Sequence, residues 1–395
     1  MLVERWALLE PFNPGSHIQV KDYLRHKGYP IPKERKTKKE TSNEEALDRL
    51  IKRFPGDDVL PKILEARHLK KAEGYLGGTA LGLDGRFHPF YTFKPETGRL
   101  SSVRPNMQNI PNMGVNREVA TKIRSCIIPS SKTRILCEVD WKAMEAVLTG
   151  FFAGDQDFIR VSKLDSHSLF LSNILHKKGI IPEKAELTWS NEKLAPFLSD
   201  LKKRFPTERF QAKTANLATS YGMQWKHLSE ELKCSAEDAK LFLILKEEMA
   251  PKVAQWKRTT LLQAHNEGKL ETPFGYVCYF WEVLRQSKTK KRPDGSPSWV
   301  PGREANSALA FRPQSSGSSM LREVMLDLAV YDGSLFDILV PIHDALLVEC
   351  EEKDLQQACD VIRRSMERKW SELGGMSLEV DIKTGRNWSE MEGEE

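Results

Sequence analysis

The chain has 395 residues, of which 40% are hydrophobic and 29% charged, and its formal net charge is +5. That balance excludes disordered, fibrous and collagen-like classes and suits two or three substructures with sizeable cores. No apolar run approaches a membrane span, and MLVERWALLEPF lacks a basic region followed by an apolar core and a cleavage site, so a soluble, cytoplasmic protein is expected. Cys126, Cys137, Cys234, Cys278, Cys350 and Cys359 form no CxxC pair and have no His neighbours at zinc spacing, so buried thiols in a reducing compartment are expected. The basic residues are clumped, in KERKTKKE near residue 35, in RQSKTKKR near residue 288 and in KKR before Phe205. Clumps of this kind suit either a polyanion such as a nucleic-acid backbone or solvated loops.

In chain order, EEALDRLIKRF and LPKILEARHLKKAEGYL predict a helical region over the first eighty residues. From Asp84 the text changes to short strand-like pieces and turns, DGRFHPFYTF and TGRLSSVRPNMQNIPNMG, followed by a β run, TRILCEVD, that ends at Asp140 and gives way to a helix. Residues from about 160 to 270 read as helical and polar, and a further helix from Asn306 leads to DILVPIHDALLVEC. This last stretch predicts two β runs separated only by His343 and Asp344. Two-residue hairpin loops favour Asn, Asp and Gly, so His343 is either an incidental turn residue or a sign of chemistry.

Asp140 and Asp344 each stand where an apolar strand ends. If the two strands are sheet neighbours, two carboxylates converge, an arrangement that like-charge repulsion disfavours unless a cation lies between them. Mg²⁺ needs only one or two protein carboxylates besides substrate phosphates and water, and paired ions at such sites run in-line phosphoryl or nucleotidyl transfer. In PTERFQAKTANLATSYGM, Arg209, Lys213, Leu217 and Tyr221 recur every fourth residue and drift only about 40° per step along one helix face. With Thr207 as the expected N-cap, two cations and the positive helix end suit a triphosphate, and Leu217 and Tyr221 suit a sugar and base. A surface helix with its cations in water and Leu217 and Tyr221 in the core is the competing reading.

Taken together, TGRLSS, PNMQNIP, RFQAKTANLATSYGM, QSSGSSML, PIHDALLVE and the closing GRNW resemble, nearly end to end, the polymerase portion of family A DNA polymerases. That group includes bacterial DNA polymerase I and several phage enzymes. The resemblance implies an α+β right hand with an antiparallel palm sheet, helical fingers and a short helical thumb. The corresponding regions are a thumb-like 1–82, palm 83–160, fingers 161–302 with an extra insertion, and a second palm segment 303–395 carrying the His-Asp hairpin. It also implies template-directed addition of deoxynucleotides to a primer 3′-hydroxyl by two Mg²⁺ ions, in replication or repair. By resemblance, Asp140 and Asp344 are the metal carboxylates, and Arg209, Lys213, Leu217 and Tyr221 the nucleotide face. Lys213 is expected to protonate departing pyrophosphate, Glu145 to exclude a ribose 2′-hydroxyl against Tyr221, and His167 to contact phosphate. Arg99, Asn106, Gln108, Gln314 and His343 are expected on the primer-template.

Several positions depart from the family pattern. Ala345 stands where Glu usually follows the His-Asp pair, and Leu217 where Phe or Tyr is usual. Asn306 and Ala310 occupy places commonly held by Arg and Asn, with Arg303 a possible substitute, and the interval between His167 and Arg209 is longer than usual. No proofreading exonuclease is expected in the chain, which would work as a monomer with primer-template DNA, dNTPs and a separate exonuclease, helicase or clamp. The alternative from another class is a catalytically silent primer-template-binding protein.

Overall fold

The computed structural model describes residues 11–34, 38–76, 81–110, 117–291 and 297–393, which fall into two compact units. The smaller unit holds residues 1–90 and 102–127, and the larger holds 91–101 and 128–395. The short strands β1 (Phe90–Thr92) and β2 (Ser101–Val103) stand where the chain passes from one unit to the other and back.

The smaller unit is helical: α1 (His17–His26), α2 (Glu44–Arg53), α3 (Val59–Leu76) and α4 (Arg117–Ser125). Ser16 caps α1 by accepting from the Gln19 amide, and Asn43 caps α2 by accepting from Ala46, each satisfying one of the orphan donors of a first turn. Asp57 does the same for α3 through the Val59 and Leu60 amides and also accepts from the Tyr23 hydroxyl at 2.7 Å. Val20, Leu24, Leu47, Leu50, Leu60 and Ile63 form its buried core. The predicted helices correspond to α2 and α3. In the basic segment Lys38 and Lys39 are exposed, while Lys36 lies outside the described residues.

The larger unit is built on a five-stranded sheet of order β11-β10-β3-β9-β8, with every pair antiparallel. Its strands are β3 (Arg134–Trp141), β8 (Phe336–Ile342), β9 (Ala345–Glu351), β10 (Val380–Gly385) and β11 (Glu392–Gly393). Leu136, Cys137, Val139 and Trp141 are buried along β3, and every residue of β9 from Ala345 to Cys350 is buried, as a central strand requires. One continuous core joins this sheet to α5 (Met144–Phe152), α12 (Ala305–Leu328) and α13 (Leu355–Met366).

A second core belongs to the run α6 (Gln156–Lys177), α7 (Asn191–Arg204), α8 (Pro206–Ser220), α9 (Trp225–Glu231), α10 (Ala236–Met249) and α11 (Pro251–Glu267). The long interval after His167 contains the end of α6 and all of α7, whose Leu194, Leu198 and Leu201 are built into this core. The ribbons β4 (Lys269–Glu271) with β5 (Val277–Tyr279), and β6 (Leu284–Lys291) with β7 (Pro297–Pro301), precede α12. The basic RQSKTKK segment is therefore a strand of a two-stranded ribbon and not a loop. None of the six cysteines forms a disulfide; four are buried, but Cys126 is exposed and Cys234 half-buried, contrary to the expectation that all are buried. Among the described residues no helix is long and apolar enough to cross a membrane.

Candidate active site

The hairpin and β3 bring the two aspartates to one edge of the sheet. β8 and β9 pair with Ile342 opposite Ala345, so His343 and Asp344 alone make the turn, and β9 pairs with β3 so that Ala345 lies opposite Asp140. Only His343 of the two turn residues takes a positive φ, 52°, an uncommon conformation for a residue other than glycine. β3 runs one residue past Asp140, to Trp141, and α5 begins after Ala143, itself left-handed at φ 49°. The strand end thus turns sharply and sets Glu145 in the first turn of α5.

The electrostatics of this edge follow from burial and crowding. Burial first, then Asp344 and Glu138, pushes the Asp140 carboxyl up to about 7. Burial likewise pushes Asp344 up to about 6, although Arg99 opposes the shift. Glu138, two residues back on the same strand face, and Asp381, directly opposite Asp140 on β10, add negative charge that the sequence reading missed. Lys383 is the partial counterweight, 3.9 Å from Glu138.

Arg99 ties the edge to the helical region. Its Nη2 lies 3.3 Å from Asp344 Oδ1 and 2.7 Å from Glu145 Oε1, and the other Glu145 oxygen accepts from the Tyr221 hydroxyl at 2.6 Å. The turn that presents Arg99 is held by α12, because Ser318 Oγ donates to the Gly98 carbonyl at 2.7 Å and Arg322 donates to it at 3.3 Å. Burial and the Glu145 carboxylate raise the Tyr221 hydroxyl above its ordinary range, so it is a firm donor, and Gln314 is also bonded to it.

α8 departs from the expected geometry at both ends. Pro206 occupies the first helical position and Phe205 the cap, so Thr207 lies inside the helix and does not cap it; proline is favoured there because its missing N–H has no intrahelical use. The helix ends at Ser220, and Tyr221 is its C-terminal boundary residue at φ −108°, followed by Gly222 at φ 85°. A Cβ on Gly222 would lie 2.9 Å from Asn306 Oδ1, a contact that a shift of the Asn306 side chain relieves, so it is the positive φ that calls for glycine here. Lys213 is exposed and Leu217 is 50% exposed, which excludes the reading that places Leu217 in the core.

Arg209 is engaged with Asp165, a partner 44 residues away that the sequence reading missed. Nη2 reaches the Asp165 carboxylate at 2.8 and 3.0 Å, and Nε donates to Ser168 Oγ at 3.0 Å. Asp165 interrupts α6 with extended φ −168° and ψ 87°, and its Oδ1 accepts from the His167 and Ser168 amides, recapping the helix after the break. That break places His167 in the same cleft as Glu145, Leu217 and Tyr221. Burial, aided by Arg209 and Lys213, lowers its imidazole to about 4, so it is neutral at physiological pH.

The family model for "DNA polymerase family A" matches residues 3–186 and 192–390. The chain belongs to DNA polymerase family A. Among the family A relatives, the thermostable DNA polymerase I of Thermus caldophilus is 27% identical over 397 residues, covering 97% of this chain and 42% of its own length. DNA polymerase I of Lactococcus lactis subsp. lactis is 28% identical over 395 residues, covering 96% of this chain and 40% of its own. The chain therefore spans less than half the length of these relatives. Its fold is similar to the POL domain of Pol1 from M. smegmatis, solved in complex with DNA primer-template and dNTP, with TM-score 0.72, 24% identity and 96% of this chain and 61% of that one covered.

Of the other residues that the family A resemblance singled out, Asn106 and Gln108 lie in the smaller unit. Gln108 is buried there, its Oε1 accepting from the Ser102 amide at 3.0 Å and its own amide donating to Ser102 Oγ, while Asn106 Oδ1 accepts from that hydroxyl. Gln314, Asn306 and Ala310 line an open cleft of about 700 Å³ together with Arg99 and Tyr221. Arg303 is 88% exposed and paired with Glu282 at 2.6 Å. His343 is exposed at the hairpin tip.

Proposed function

We propose that the chain is the polymerase part of a template-directed DNA polymerase, adding deoxynucleoside monophosphates to a primer 3′-hydroxyl, with primer-template DNA and dNTPs as its partners. The observation that carries this reading is the connected line Asp140, Asp344, Arg99, Glu145, Tyr221. It joins a carboxylate pair at a sheet edge to a helix face that leaves Lys213 and Leu217 toward solvent. The donor set fits a divalent cation: two half-buried carboxylates at adjacent strand ends, both held well above their ordinary range by desolvation and like charge. Asp140 and Asp344 are the residues that would hold Mg²⁺, which when bound lowers the pKa of an attacking hydroxyl and neutralises charge on a triphosphate.

On this reading the primer 3′-hydroxyl loses its proton to solvent as its oxygen forms a bond to the α-phosphorus of the dNTP, and the bond from that phosphorus to pyrophosphate breaks. Lys213 gives a proton to the departing pyrophosphate, and Arg209 and His167 orient the triphosphate. Much of the rate comes from such positioning and charge complementarity. Tyr221 holds Glu145 by a 2.6 Å hydrogen bond, and the carboxylate fills the place where a ribose 2′-hydroxyl would sit.

Primer extension on a labelled primer-template tests the reading. The wild type is expected to extend with deoxynucleotides and at least about a hundredfold more weakly with ribonucleotides, and Glu145→Ala to narrow that ratio roughly tenfold. No extension despite tight primer-template binding moves the weight to a silent binding protein. The exposed aliphatic Leu217 leads to a second expectation. Leu217→Phe, which restores a flat ring, is expected to change the incorporation ratio of dideoxy- to deoxynucleotides by several-fold. Equal ratios in competitive extension remove Leu217 from the sugar contact.

A further inference from the structure

The buried side of α8 meets polar groups that the mechanism above leaves unused. Lys246, on α10, is only 8% exposed, and its Nζ donates to Asn216 Oδ1. The rings of Phe158 and Phe170 stand 5.8 and 5.9 Å from it. Its electrostatic surroundings are burial and a second cation, Lys257, both of which disfavour charge. A lysine in so costly a place is informative because an ammonium can only donate.

The direction of donation can be followed outward from Lys246. While Lys246 is charged, below about pH 7, it can only donate, so the Asn216 side chain turns its oxygen to Lys246 and its NH₂ the other way. There Nδ2 lies 3.0 Å from His167 Nδ1 and 3.4 Å from the Ser166 carbonyl oxygen. The carbonyl only accepts, so it independently requires the same amide orientation. An amide donor at Nδ1 requires a lone pair on that nitrogen, and a neutral imidazole then carries its single proton on Nε2. Burial, with Arg209, Lys213 and Lys246 nearby, keeps the ring neutral.

We propose that Lys246 is a positioning residue that fixes His167, through Asn216, as the tautomer with its proton on Nε2. The remaining ring nitrogen is then a hydrogen-bond donor in the cleft His167 shares with Leu217 and Tyr221. An imidazole of the opposite tautomer would present a lone pair and repel a phosphate oxygen. The ligand so addressed is the triphosphate of an incoming nucleotide, and this part rests on the function proposed above.

The test is long-range ¹H–¹⁵N spectroscopy of the full chain labelled with ¹⁵N-histidine, the His167 signals being identified by their loss in His167→Gln. The wild type is expected to show Nε2 protonated and Nδ1 bare. Lys246→Met removes the donor that faces Asn216 Oδ1 and leaves only the long 3.4 Å contact to the Ser166 carbonyl to hold the amide, so a larger population protonated at Nδ1 than in the wild type is expected. Asn216→Asp offers only oxygen to the ring and is expected to place a proton on Nδ1, which keeps the test decisive if Lys246→Met does not fold. An Nδ1-protonated wild type, or a tautomer unmoved in either folded variant, overturns the proposal. Steady-state extension then separates the two claims: Lys246→Met is expected to raise the KM for dNTP roughly tenfold with kcat changed less than about threefold. A shifted tautomer with unchanged KM keeps Lys246 in its positioning role and removes His167 from the triphosphate.

Discussion

Replacing Asp344 with Asn is expected to lower primer extension on the order of a thousandfold or more, with primer-template affinity unchanged or slightly tighter. The same is expected of Asp140→Asn. Both carboxyls are pushed up by burial, and Asp140 is pushed further by Asp344, Glu138 and Asp381. In the metal-free protein the native state therefore binds protons that the unfolded chain has already released between about pH 4 and 7. Stability falls as pH rises through that window, and the full cost is present above it. Asp140→Asn removes a carboxylate from this crowd, so in EDTA at pH 8 it is expected to melt higher than the wild type by several degrees. Adding Mg²⁺ is expected to raise the wild-type melting temperature and to move either Asn variant much less. Extension at wild-type rate by both variants would sink the carboxylate assignment. Lost extension without the melting-point gain would instead show that the site is not crowded in the way its charges imply.

How legible this site was depended on whether a residue's role is set along the chain or across it. The strand ends at Asp140 and Asp344 were readable because apolar β runs stop beside them, and the sheet pairs Asp140 with Ala345, next to Asp344. The exposed side of α8 was readable from four-residue spacing, although Tyr221 leaves the helix and Thr207 does not cap it. The buried side was not. Asp165 meets Arg209 across 44 residues, and Lys246 meets Asn216 across 30, through a tertiary packing of α6, α8 and α10 that no periodicity encodes. Asp165 left one local trace, since an Asp followed two and three residues on by amides it can cap is a signal for a helix restart inside an apparently continuous helix. Asp381 was unreadable for a different reason: its effect on Asp140 exists only because β10 pairs with β3 in that register. The smaller unit reads more easily, since Asn43 and Asp57 lie directly ahead of the helices they cap.

Lys246→Met is expected to raise stability near pH 7, by about 2–4 kcal/mol, even as it disturbs the histidine tautomer. Burial lowers the Lys246 ammonium to about 7 and Lys257 to about 8, each from an ordinary value of 10.5. A base whose native pKa is depressed binds fewer protons when folded, so between about pH 7 and 10.5 the unfolded chain holds protons that the native chain has lost, and stability rises with pH. Below pH 7 both states carry the charge and its full burial cost remains. The methionine keeps the length of the side chain among Phe158 and Phe170 but has no charge to desolvate, and it leaves Asn216 Oδ1 without its donor, which offsets part of the gain. Denaturant melts at pH 7, 8 and 9 are expected to show a wild-type slope steeper than the variant's by about 1.4 kcal/mol per pH unit, the signature of one proton. Parallel slopes would mean that Lys246 titrates normally and that water reaches it. A stabilised variant that handles dNTP less well would mark Lys246 as a residue kept at a cost to stability for what it does to His167, a combination that packing alone does not produce.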